Sequence, residues 1–302
     1  MENFADRLLN AVEGARSHVV VGLDPDYGLL PPAIRRLPAE ARPDDLEERA
    51  AHFGEFLRGI LDAVAGIAVA VKPQLAYFEA LGSHGYRLYE DLVRDARARG
   101  LLVIADAKRG DIGSTAEAYA RAHLDVAGAD AITVNPWFGS DGMEPFLRRA
   151  RGEGRGVFVL VKTSNPGSAE IQDLELGSAG GEQVHERVAE LVEAWGADAR
   201  GVRGYSAVGA VVGGTHPAQA ASLRARHPHV PFLVPGYGAQ GGTAADLAGV
   251  FDADGAGAVV NSSRGILYAY RTHGGDWRTA ARDAAEEMRR ALWAVARSGR
   301  GV

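Results

Sequence analysis

Eight short apolar runs recur along this chain, each followed by a helix-patterned or loop-plus-helix stretch, and they limit the folds open to it. They fall at 18–23, 67–71, 101–104, 131–134, 156–162, 207–212, 230–234 and 257–260. Short runs rich in Val, Ile and Leu, bounded by Gly, Pro, Asn or charged residues, read as buried strands. Strands alternating with helices make a parallel α/β sheet, because the helix carries the chain back to start the next strand in the same direction. Eight such units in 302 residues favour a closed (β/α)8 TIM barrel in a single domain over an open sheet, since that barrel uses about 250 residues and tolerates insertions.

Helical periodicity is expected at 3–14, where Phe4, Leu8, Leu9 and Val12 share a face, and again at 45–65, 83–99, 182–195 and 277–297. Two stretches interrupt the alternation. Residues 25–43 hold Pro25, Pro31, Pro32, Pro38 and Pro43, too many for a regular element, so an inserted loop is expected at about 25–45. A Gly- and Ser-containing loop at about 164–181 is long enough to act as a lid.

Barrel enzymes collect their reactive groups where the strands end. Asp24, Lys72, Asp106, Lys108, Asn135, Lys162, Ser164 and Asn261 all fall at or just past such ends and would share one rim. The densest group is Asp106-Ala107-Lys108-Arg109-Gly110-Asp111. Alternation along a strand puts Asp106 and Lys108 on one side, and a turn at Gly110 could return Asp111 to the same pocket. Ser114 and Glu117 have the spacing of a capping box, placing the next helix start there. An isolated D-x-K-x-x-D would be a surface ion-pair cluster; at the exit of a buried strand it reads as catalytic.

The loops after the seventh and eighth runs carry a different signal, Pro235-Gly236-Tyr237-Gly238-Ala239-Gln240-Gly241-Gly242 and Asn261-Ser262-Ser263-Arg264-Gly265. Glycines let backbone N–H groups approach a phosphate, and an arginine adds a charge-assisted contact. Together they point to a phosphomonoester ligand. His227-Pro228-His229 precedes the seventh run, at the opposite end, and reads as solvated loop rather than a metal pair. Trp137-Phe138 fits a pocket wall, an interface or the core.

The absence of cysteine excludes disulfides, thiolate metal sites and cysteine nucleophiles. A net charge of −6 offers nucleic acid no general attraction, so an anionic ligand needs a local site. No stretch has the pattern of a signal peptide or the length of a membrane span, which makes a cytoplasmic location the expectation and a membrane partner unexpected.

The run from Asp106 to Ile112 with Thr115, joined to Asp24, Lys72, Ser164-Asn165-Pro166-Gly167, Gly238-Ala239-Gln240-Gly241 and Arg264, resembles the orotidine 5'-phosphate decarboxylase family. The motifs keep their order from the first strand to the eighth, and the Pro-rich insertion is similar to that of the longer bacterial subgroup. The resemblance implies loss of CO₂ from C6 of orotidine 5'-monophosphate to give uridine 5'-monophosphate in de novo pyrimidine synthesis, with no metal or organic cofactor. It implies Lys108 as proton donor to C6, Asp106 against the departing carboxylate, Lys72 and Asp111 flanking them, and Lys72 with Asp24 at the ribose. Ser164 would meet the pyrimidine; Gln240, the backbone near Gly238 and Arg264 would meet the phosphate. A homodimer is implied too, with Asp111 and Thr115 reaching into the neighbour's pocket. Arg109 takes a salt bridge or faces solvent by default. Two rivals remain: a Mg²⁺-dependent sugar-phosphate decarboxylase of the same superfamily, against which Lys72 and Gln240 argue, and a non-catalytic phosphate-binding barrel, against which the crowded acids argue.

Overall fold

Each apolar run becomes a strand, and the strands close in chain order into a single (β/α)8 barrel, β1 pairing with β8 and every neighbouring pair parallel. A computed structural model describes residues 1–40, 42–177, 181–238 and 242–298. The strands are β1 (Val19–Leu23), β2 (Ala70–Pro73), β3 (Leu102–Arg109), β4 (Ala131–Val134), β5 (Gly156–Lys162), β6 (Val208–Val212), β7 (Phe232–Val234) and β8 (Ala258–Ser262).

Two starts differ by more than one residue from the sequence reading. Ile67 and Ala68 donate their N–H groups to Val64 O, so they close the helix Leu46–Val64 and β2 begins only at Ala70. Pro231 has no N–H for a ladder and Val230 donates back to His227 O, so β7 begins at Phe232. β3 runs on to Arg109, past the apolar stretch, because its polar half still pairs with β4.

The core is the layer between strands and helices. Phe53, Phe56, Leu57, Ile60 and Leu61 of the helix Leu46–Val64 are buried on one face, each contributing roughly 1.5–3 kcal/mol of apolar transfer. The helix Phe4–Ala15, capped by Asn3, which accepts the Ala5 N–H at 2.8 Å, closes the N-terminal end of the barrel. There Phe4 meets Phe158 edge-on at 5.9 Å, and a Cβ on Gly156 would lie 2.3 Å from the Phe4 ring, so that strand must start with glycine.

The Pro-rich insertion forms two short 3₁₀ turns, Tyr27–Leu29 and Pro43–Asp45. Buried Arg49 fixes it, its guanidinium 4.1 Å over the Tyr27 ring and donating to Pro38 O and Ala39 O. The capping box at Ser114 does not form. The helix Gly113–Ala120 has no side-chain cap, and Glu117 accepts instead from Arg149 at 2.8 Å and from Arg148, charged partners that compete better than a backbone N–H. A box does form at Gln183 and Glu186, where the helix Val184–Gly196 starts. Among the described residues no helix is long and apolar enough to cross a membrane.

Burial pushes His18 and His123 down to about 4. Between about pH 6.5 and 4 the unfolded chain therefore binds protons that the fold excludes, and stability falls as pH falls through that window. At about 1.4 kcal/mol per pKa unit the ceiling is ~3 kcal/mol for each histidine. The thermal midpoint should drop between pH 7 and 4.5, and drop less in His18→Gln/His123→Gln. An equally steep drop in the double variant would contradict this assignment.

Candidate active site

Asp106 is the hub at the C-terminal mouth. Its Oδ2 accepts from Lys72 Nζ at 2.5 Å and Gln74 Nε2 at 3.0 Å; its Oδ1 accepts from Lys108 Nζ at 2.6 Å and Thr133 Oγ1 at 3.0 Å. Four donors use up the acceptor capacity of a carboxylate. Burial raises the Asp106 carboxyl, but Lys72 and Lys108 outweigh it and hold the group well below the usual carboxylate range. Burial likewise lowers the Lys72 ammonium, and the carboxylates of Asp106 and Asp24 outweigh that and leave it raised. Both charges of the deep pair persist across physiological pH.

The strand that carries Lys108 is distorted to present it. Between Ala105 and Arg109 the β3–β4 register shifts, the two residues lying opposite Ile132 and Val134, and Lys108 adopts φ +48°. A left-handed conformation costs a side-chain-bearing residue about 1–2 kcal/mol, and Thr133 Oγ1 helps hold it by accepting the Lys108 N–H at 3.0 Å. The Lys108 side chain is left 45% exposed, whereas those of Lys72 and Asp106 are 6% and 8% exposed. One ammonium thus faces the open side of a cavity of about 650 Å³, while its neighbours form the floor.

Asp24 lines the same cavity, its Oδ1 buried with no hydrogen-bond partner among the described residues. The turn after it is fixed by Tyr268, whose hydroxyl accepts the Asp26 N–H at 2.6 Å and whose ring stacks on Phe56. Gly22 keeps the lumen bare there: a Cβ would fall 1.9 Å from Ser263 Oγ. Arg264 begins the short helix Arg264–Leu267 at the mouth, exposed and without an ion pair to any described residue. Gly236 and Tyr237 line the cavity beside it, but the N–H of Gly238, at φ +74°, is engaged by Gly242 O at 3.0 Å. Gln240 lies outside the described residues. Ser164 and Asn165 line the wall after β5, and Asn261 that of β8.

Several expectations need correcting. Lys162 is not on the rim: a register shift between Leu160 and Lys162, opposite Val211 and Val212, turns it outward to Asp173 at 2.7 Å. Asn135 caps the turn Pro136–Phe138 by accepting the Trp137 N–H. The turn at Gly110 does not bring Asp111 into its own chain's cavity; Asp111 accepts the Ile112 N–H on the outer surface, and Thr115 is exposed nearby. Arg109, by contrast, takes the salt bridge expected of it, to Glu79, and sits over Tyr119. His227 is buried rather than solvated, its Nδ1 2.6 Å from Glu193.

The sequence reading missed Gln74, Thr133 and Tyr268. Alternation from Lys72 points to Gln74, and a lone polar residue within an apolar strand points to Thr133. No local signal marks Tyr268. Among the described residues no group of three or more His, Asp or Glu converges as a metal-ligand set.

A sequence model of the orotidine 5'-phosphate decarboxylase / HUMPS family matches residues 17–278. A protein of Rhodopirellula baltica named orotidine 5'-phosphate decarboxylase is 44% identical, covering 97% of this chain and 99% of its own length. One of the same name from Deinococcus radiodurans is 42% identical, covering 96% and 98%. The solved structure of Leishmania donovani OMP decarboxylase superposes with a TM-score of 0.75 at 34% identity, covering 96% of this chain and 99% of that one.

Proposed function

This chain belongs to the orotidine 5'-phosphate decarboxylase / HUMPS family and is a carboxy-lyase, and from that premise we propose that it converts orotidine 5'-monophosphate to uridine 5'-monophosphate, with Lys108 as proton donor, in de novo pyrimidine synthesis. The observation that carries this reading is Asp106 held between two ammonium groups, 2.5 Å from Lys72 and 2.6 Å from Lys108, on the floor of the cavity whose mouth carries Arg264.

When the C6–carboxylate bond breaks, the electron pair stays on C6 in the plane of the ring, out of reach of the π system. Fixed charge must stabilise it. The Lys108 ammonium faces that position, and its proton passes to C6 as CO₂ departs. The neutral amine left behind regains a proton from solvent through its exposed side. Asp106 has no lone pair left for the substrate, so it acts by charge: two anions about 4 Å apart repel by roughly 4 kcal/mol at an effective dielectric of 20. That repulsion alone is too small for so unreactive a bond. Binding energy from the phosphate, gathered at Arg264 and the loop after β7, holds the reacting end against it. The Asp24 oxygen, without a partner among the described residues, suits a ribose hydroxyl, and Ser164 suits the pyrimidine edge. The same full occupancy of Asp106 disfavours the Mg²⁺-dependent rival, which needs carboxylate oxygens free for a cation. Incubation with orotidine 5'-monophosphate and chromatography of the products tests the reading: uridine 5'-monophosphate supports it, and unchanged substrate refutes it.

The reading includes a homodimer with shared sites. Ile112 (55% exposed), Trp137 (70%) and Phe138 (47%) form an apolar surface beside Asp111 and Thr115, suited to a second copy. Mixing inactive Asp111→Ala and Lys108→Ala subunits should restore activity, up to about a quarter of the wild-type specific rate if exchange is statistical and one hybrid site per dimer is intact. No recovery despite proven exchange would make each subunit self-contained.

A further inference from the structure

Lys162 is a buried charge that the chemistry above does not use. Its side chain is 0% exposed and is turned away from the lumen, yet it immediately precedes Thr163, Ser164 and Asn165, which line the cavity. Removing an ammonium from water is costly unless it is well paired. The pairing here is elaborate. Asp173 Oδ1 accepts from Lys162 Nζ at 2.7 Å and from Gln219 Nε2 at 3.0 Å, with His185 Nδ1 3.4 Å away. His185 Nδ1 in turn donates to Gln172 O at 2.8 Å. Gln172 then reaches back across the loop: its Oε1 accepts the Thr163 N–H and its Nε2 donates to Thr163 Oγ1, both at 2.9 Å. Thr215 Oγ1 donates to Ser164 O at 3.2 Å from the other side.

The segment from Thr163 to Asp173 thus leaves the barrel at Lys162 and is staked back onto it at Asp173, with Ser164 on its inner edge. We propose that Lys162 is a positioning residue for base recognition: through Asp173 it sets the height of the Ser164 ledge over the pyrimidine subsite without touching the ligand. The inference rests on the reading of Ser164 given above. It also makes the first half of the expected lid a fixed wall, since wholesale movement of 164–181 would break the Asp173 contacts.

The test compares two ligands that share a phosphate and a ribose and differ in the base. Calorimetry with wild-type protein should detect both uridine 5'-monophosphate and ribose 5-phosphate. Lys162→Met keeps the apolar stem and removes the charge. It should weaken uridine 5'-monophosphate about 10–100-fold, the size of a lost charged hydrogen bond, and leave ribose 5-phosphate within twofold. Asp173→Asn should give the same selective loss, and the double variant should be no worse than either single one, because both act through one contact. Gln219→Leu, which trims only one donor from an intact ion pair, should show a smaller loss of the same selectivity and serves if Lys162→Met fails to fold. Equal weakening of both ligands, or unchanged affinity for the nucleotide, would overturn the positioning role. Wild-type protein that binds ribose 5-phosphate but not the nucleotide would instead overturn the functional reading, and this inference with it.

Discussion

Lys108→Ala is expected to abolish turnover, with a fall in kcat of at least ~10⁴-fold, while nucleotide binding stays measurable. On the proposed mechanism the variant removes the proton donor, commonly worth 10²–10⁴, and with it the positive charge nearest the developing carbanion, worth about a further 10²–10³. The fold should tolerate the change. The Lys108 side chain is 45% exposed and so leaves no buried orphan, and Asp106 keeps Lys72, Gln74 and Thr133 as donors. Alanine meets the same cost at φ +48° as lysine does. Steady-state kinetics and titration with uridine 5'-monophosphate separate the two effects. A kcat near wild type would refute the assignment of the donor.

Asp106→Asn should damage both turnover and stability. Lys72 is buried and loses its 2.5 Å counter-ion. Breaking a buried pair by removing one partner costs about 3–5 kcal/mol. The new amide also presents a donor where four donors converge. The unfolding free energy should fall by that amount, read as a lower denaturation midpoint, and kcat by at least ~10³-fold, as the carboxylate that orients the Lys108 ammonium disappears. Relief of the repulsion should at the same time leave substrate affinity unchanged or tighter. An unchanged midpoint would mean that Asp106 is not what holds Lys72 charged. Because the Asp106 carboxyl is held far below its unfolded value, its contribution is complete above the unfolded carboxylate pKa and is lost only as pH falls through the depressed folded one. Loss of activity between pH 5 and 7 should therefore not follow Asp106.

The barrel was legible because burial between two layers of packing demands apolar runs such as Val19–Leu23 and Gly156–Lys162. Strand ends were less legible, since a backbone bond to Val64 O or the missing N–H of Pro231 decides them and leaves no apolar pattern. The hub Asp106 with Lys108 followed from alternation. The same rule failed for Lys162, because a register shift in β5 reverses the facing of the last residue. Tyr268 could not be found from sequence: its partners Asp26 and Phe56 lie more than 200 residues away, and only the closed barrel brings them together.

On the proposed mechanism, ammonium and carboxylate groups mounted on this barrel suffice for decarboxylation. The most direct test follows the loss of orotidine 5'-monophosphate absorbance with wild-type protein dialysed against excess EDTA and assayed in it. Turnover at the rate of the untreated protein is the predicted result. No turnover in EDTA with recovery on adding Mg²⁺, or no consumption of this substrate under either condition, would contradict it.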